Sequence, residues 1–278
     1  MTTLPFARPA GPFPTPSGWL HESLERQRAL TLFGLAMLAA MLPLLALHGL
    51  DDRTLRGVGV WVKPLKFLAS TGVFALTTAW FVGLLPPERR RDAMVRAVVA
   101  MLIGTALFEN VYITWQAALG EASHYNFSDR FHIAMYQLMG AAAVLLTLTQ
   151  PLLAWHIVRH ARADIEPLWR RAVVLGLVLT FALGAGAGAM LGPIQPPAGS
   201  GLPLLGWHVR GDLRPAHFIG LHAQQLVPWL GLALLRLPRR RATRLFALAI
   251  VLYVAAWAVA VAFGLQGAVL RPPVLPPA

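Results

Sequence analysis

The sequence predicts an all-α, polytopic membrane protein, a bundle of seven transmembrane helices with the N-terminus in the cytoplasm and the C-terminus outside. Three observations lead there. Hydrophobic residues make up 56% of the chain and charged ones 13%, with a mean hydropathy of +0.58, a balance too apolar for a water-soluble domain. Seven stretches are apolar over about 20 residues or more, the length that crosses a hydrocarbon core. Arginines crowd alternate connections between them, as the positive-inside rule requires.

The elements follow in order. Residues 1–28 are proline-rich, too weakly basic for a signal-peptide start and followed by no A-x-A cleavage site. Within them, SGWLHESLERQR reads as a short interfacial helix with Trp19 at headgroup level. The first span, 29–47, is therefore expected to be retained. Spans two to seven are read at 62–85, 93–119, 131–158, 171–191, 216–235 and 243–268, and a proline-rich tail, 269–278, closes the chain. No repeat or long linker divides residues 29–268, so they form one transmembrane domain.

Arg26 and Arg28 precede span one. Arg89, Arg90, Arg91 and Arg96 follow span two, Arg159, Arg162, Arg170 and Arg171 follow span four, and Arg236, Arg239, Arg240, Arg241 and Arg244 follow span six. This placement explains the net charge of +12 through anionic membrane lipid, and no groove-reading motif points to nucleic acid. The absence of cysteine excludes disulfides, thiolate metal sites and thiol nucleophiles. Heavy use of Arg over Lys, with abundant Ala, Gly and Pro, suggests a multi-pass protein of a bacterial inner membrane.

Span five carries Gly176, Thr180, Gly184, Gly188 and Gly192 in one line. Such a line lets another helix approach closely, either within the chain or in a homodimer. The connection after it, 192–215, is too rich in Gly and Pro for helix, and its LPLLGW stretch suits a lid.

Polar residues gather in the half of the bundle expected to face outward. Only two of the 24 basic residues are lysine, Lys63 and Lys66, both at the start of span two. Lysine differs from arginine in being a compact ammonium whose proton can be removed when it is desolvated. Glu109 lies about 13 Å below the outer end of span three, counted at 1.5 Å per residue, a costly depth for a carboxylate unless it is protonated, paired or bound to a metal. Tyr112 and Gln116 continue its face, with Asn110 flanking. Span four adds His132, Tyr136 and Gln137, and span six adds His217, His222, Gln224 and Gln225. Ionisable groups inside a membrane are functional candidates by default.

These residues point to a membrane-embedded enzyme acting on a lipid or small amphipathic substrate. Glu109, Lys66 and Tyr136 are the expected catalytic groups, with Lys66 opposite Glu109. Lys63, Asn110, Tyr112, Gln116, Gln137, Gln224 and Gln225 are expected to bind substrate. A subset of Glu109, His132, His217 and His222 is expected to hold a divalent metal. One alternative is a redox protein with a b-type haem, His132 facing His222 or His217, or with a quinone. Another is a transporter or receptor for a small polar ligand. His48, His124, His156, His160 and His208 are expected to be structural. Phosphate-binding glycine loops, HExxH and GxSxG are absent.

Overall fold

A computed structural model describes residues 16–199, 201–202 and 205–268. The first part of the proline-rich N-terminal segment, the tail 269–278 and two residues of the LPLLGW stretch lie outside the described residues.

Helix α1, Pro16–Leu50, contains the expected short helix, set off by non-helical backbone at Gln27 (φ −156°, ψ 93°). Thr31 spans the break, donating to the carbonyls of Ser23 and Gln27 (both 2.9 Å) and so satisfying acceptors that the interrupted helix leaves free. The segment before the break is pinned to the end of α2, Val62–Val82. Arg26 pairs with Glu22, donates to the Trp80 carbonyl at 2.8 Å and lies 3.8 Å over the Trp80 ring. Trp19 stacks with Trp80, 6.3 Å between ring centroids.

Between α1 and α2 a hairpin, β1 (Thr54–Leu55) and β2 (Val58–Gly59), pairs Thr54 with Gly59 and Leu55 with Val58. Arg56 and Gly57 at its turn both take positive φ, 54° and 81°, as a two-residue turn that matches strand twist demands. Helix α3, Ala93–Leu119, ends at Gly120, whose left-handed backbone (φ 76°) returns its N–H to α3 carbonyls. Helix α4, Arg130–His160, is capped by Asp129, which accepts from the His132 N–H at 2.9 Å. Glu166 caps α5, Pro167–Leu179, in the same way by accepting from the Trp169 N–H.

Span five is less regular than expected. A π-helical stretch, Thr180–Ala185, separates α5 from α6, Gly186–Leu191. The sixth expected span also differs: α7, Arg214–Leu221, and α8, Ala223–Leu234, meet at His222, where φ is −89° and ψ 8°. The two irregularities pack on each other. A Cβ at Gly220 would come within 2.5 Å of the Gly184 nitrogen, so the two backbones touch. Pro228 inside α8 also removes one N–H from the helix ladder. Helix α9, Arg239–Leu265, completes the chain. Among the described residues, six helices are long and apolar enough to cross a membrane, counting α5 to α6 as one; α7 and α8 are each too short alone.

Small residues set the packing, as they must where lipid removes the hydrophobic drive between helices. Gly34 and Gly72 bring α1 onto α2, each facing the other's carbonyl. The line on span five is used within the chain: Gly176 faces Pro228 and the Ala223 carbonyl, Gly184 faces Leu221, and Gly188 faces the His217 ring. At these three glycines the face is covered by α7 and α8. An apolar core of Val82, Leu85, Val98, Leu153, Ile157, Trp169 and Leu177 joins α2 to α5.

The connections sort to two ends. At one, Arg162 N–H bonds the Leu84 carbonyl and Arg171 lines a groove with Thr243. At the other lie the hairpin, the loop 120–129, the segment 192–213 and the end of α9, where the Gly211 N–H reaches the Phe263 carbonyl.

Candidate functional site

The hairpin end assembles most of the candidate residues. Lys63 stands in the first turn of α2, and the loop after α3 passes directly over it, because the Gly120 cap turns the chain back. The Lys63 ammonium donates to Ser123 Oγ at 2.7 Å and to His124 Nδ1 at 2.9 Å. An imidazole nitrogen that accepts from an ammonium carries no proton, so His124 is neutral with its proton on Nε2. Burial first, and then the Lys63 charge, hold His124 well below the ordinary imidazole range. Phe67, on α2, and Tyr136, on α4, pack against its ring at 6.3 and 6.0 Å between centroids.

Glu109 is 3% exposed, and its Oε1 has no hydrogen-bond partner among the described residues. The cation that acts electrostatically on it is Lys63. This corrects the expected pairing with Lys66. The Lys66 ammonium instead donates to the Leu205 carbonyl at 2.8 Å and lies 5.8 Å from the Trp207 ring. One turn along α2 has moved it out of the interior and under the 192–213 segment.

The α3 stripe is buried as expected. Tyr112 OH, Gln116 Oε1 and Asn110 Oδ1 are unpartnered among the described residues, while Asn110 Nδ2 donates to Thr71 Oγ1 at 3.0 Å and to the Ala106 carbonyl. Buried polar atoms without partners are rare, and α3 carries four of them. Gln224 is fully buried with both side-chain atoms unpartnered, and its N–H donates to Thr180 Oγ1 at 2.8 Å. Gln225 joins α8 to α2 by donating to Thr77 Oγ1 at 3.2 Å. Gln137 is exposed on α4.

The three histidines expected as metal ligands are engaged separately. His132 Nδ1 faces Asp129 Oδ2 at 2.8 Å and its Nε2 faces Glu121 Oε2 at 3.1 Å. The His132 N–H and ring hold the Asp129 carboxyl below the usual carboxylate range. His217 Nδ1 donates to the Gly184 carbonyl at 2.8 Å, and His222 lies against Phe218 with Nε2 unpartnered. Among the described residues, no three His, Asp or Glu side chains are grouped to hold a metal ion.

Tyr136 is engaged with the segment after α6. Its OH donates to the Gly192 carbonyl at 2.8 Å, and Tyr125 OH donates to the Leu191 and Ile194 carbonyls. Arg56, at the hairpin turn, donates to the Pro196 carbonyl. With Lys66, four side chains thus fasten Leu191, Gly192, Ile194, Pro196 and Leu205 at this end.

Ser123, His124 and Tyr125 were not expected in the site. The signal for them is position: EASHY follows the end of span three directly and must lie level with the start of span two, where both lysines are. The chain matches no protein-family model, and neither a curated protein nor a solved structure matches it.

Proposed function

We propose that this protein is a membrane-embedded enzyme of the acid–base kind, acting on a small amphipathic or lipid substrate with an anionic group. The observation that carries the reading is the arrangement of Lys63 bonded to Ser123 and neutral His124, with the unpaired Glu109 carboxyl in its field. Two of the three ammonium donors are used, which leaves one for a substrate oxygen. Glu109 supplies or accepts the proton, and Lys63 stabilises the charge that develops on substrate. Asn110, Tyr112 and Gln116 offer neutral hydrogen-bonding groups along the same helix.

In this reading α7 and α8 together make a seventh crossing. Their 21 residues from Arg214 to Leu234 extend about 31 Å at 1.5 Å per residue, from the hairpin end to the arginine-rich end. The arginine-rich end faces the cytoplasm of a bacterial inner membrane, which puts the N-terminus inside and the site outside.

Membrane lipid extract incubated with purified protein and profiled by mass spectrometry tests the proposal. A species altered by the wild type and left intact by both Glu109→Gln and Lys63→Met supports it. Turnover that survives both substitutions overturns it, and saturable ligand binding without turnover would favour a transporter or receptor instead.

A further inference from the structure

At the arginine-rich end, away from the candidate site, two helices leave a groove open to the membrane. Arg171, Val174, Leu175 and Val178 of α5 form one wall, and Thr243, Phe246, Ala247 and Ile250 of α9 form the other, around about 550 Å³. Each wall repeats the spacing i, i+3, i+4, i+7, so each is a single helical face. At Thr243 the groove runs into a second hollow of about 540 Å³ lined by Arg239, Arg240, Thr243 and Arg244. An apolar groove about two turns long thus adjoins a cluster of guanidinium groups.

The nearby carboxylates do not neutralise that cluster. Asp164 is paired with Arg162, and Glu166 caps α5 through the Trp169 N–H. Arg171, Arg239, Arg240 and Arg244 are exposed, and none is in an ion pair among the described residues. A second copy of the chain would bring the same positive charge to the same place, so charge complementarity disfavours it as occupant.

We infer that this groove is a binding site for one anionic phospholipid, with an acyl chain between α5 and α9 and the headgroup phosphate held by Arg171, Arg240 and Arg244. Basic pockets between membrane helices have the chemistry for such headgroups, and guanidinium binds phosphate through paired N–H donors. The lipid would bridge α9 to α5 beside the Ala242 and Phe246 contact. The site is independent of the Lys63 and Glu109 chemistry and stands or falls without it.

The test is the thermal unfolding of detergent-purified full-length protein with added phosphatidylglycerol, phosphatidylcholine of the same chains, or inorganic phosphate. Phosphatidylglycerol is expected to raise the unfolding temperature above both others. The doubly substituted Arg171→Gln, Arg244→Gln protein should lose more than half of that rise, and Val178→Trp, which fills the apolar wall, should lose it as well. All three positions are exposed, so the unliganded proteins should unfold at wild-type temperature. Arg89→Gln, at a different basic connection, should keep the full rise. Equal effects of the two lipids, an equal effect of phosphate alone, or an undiminished rise in the substituted proteins would each overturn the inference.

Discussion

Lys63 and Lys66 are three residues apart on one helix and have opposite surroundings. Lys63 is enclosed by Ser123, His124 and the field of Glu109, whereas Lys66 reaches up to a single carbonyl. Hydrogen bonds to charged groups contribute about 1.5–3 kcal/mol each when protected from water, and less at an exposed position. Lys63→Met is therefore expected to lower the unfolding temperature in detergent clearly more than Lys66→Met. Equal effects would mean that the Ser123 and His124 contacts add nothing. His124 gives a second prediction, with a definite sign. Its folded-state value lies below the usual 6.5, so above pH 6.5 neither state binds a proton there. As pH falls below about 6.5, the unfolded chain takes up a proton that the folded protein refuses, and stability is lost with a slope of at most about 1.4 kcal/mol per pH unit. The charged group facing the ring is Lys63 on α2, His217 on α7 also acts on it electrostatically, and Tyr136 on α4 packs against it. Unfolding measured from pH 7.5 to 5 should show this slope, flattened in His124→Gln. At this scale the sequence was informative about depth and silent about azimuth. Burial of Glu109, Tyr112 and Gln116 follows from a polar stripe on an apolar helix, but which lysine meets the carboxylate depends on a rotation of α2 set by its neighbours.

The elements show a similar division. Apolar length fixes where α1 to α4 and α9 run, to within a few residues. The hairpin escaped notice because its strands have two residues each, too few for any period to register, and only the Arg-Gly pair marks its turn. The π-helical stretch and the break at His222 have no signature in composition. They arise where Gly184 and Gly220 let two backbones meet, a tertiary cause. Adding a methyl group at Gly220, where it would lie 2.5 Å from backbone atoms, should cost on the order of 1–3 kcal/mol by overpacking. The same change at Gly104, with nothing within 4 Å of an added Cβ, should be neutral or stabilising by up to about 1 kcal/mol from helix propensity. Thermal unfolding of the two alanine variants against wild type measures the difference, and a benign Gly220→Ala would show that the two irregular helices are not in contact there.

For the whole molecule, the decisive property is the sorting of charge between two ends. The chain has no cysteine, so single introduced cysteines report their side of the membrane without background. Ser128→Cys, exposed in the loop over the site, should react with a membrane-impermeant maleimide on intact cells. Arg89→Cys should react only after the membrane is opened. The reverse pattern would invert the orientation and turn the candidate site toward the cytoplasm.

The segment that closes the hairpin end is gripped by Arg56, Lys66, Tyr125 and Tyr136, and every one of these grips main-chain oxygen. Carbonyls are alike at every position, so these hydrogen bonds do not depend on the side chains carried at Leu191, Gly192, Ile194, Pro196 and Leu205. Those five positions can change side chain while the attachment stays the same, whereas Trp207 beside the Lys66 ammonium and Gly206 at positive φ are held to their residue type. New specificities can be tried at the mouth of such a site without rebuilding the bundle beneath it.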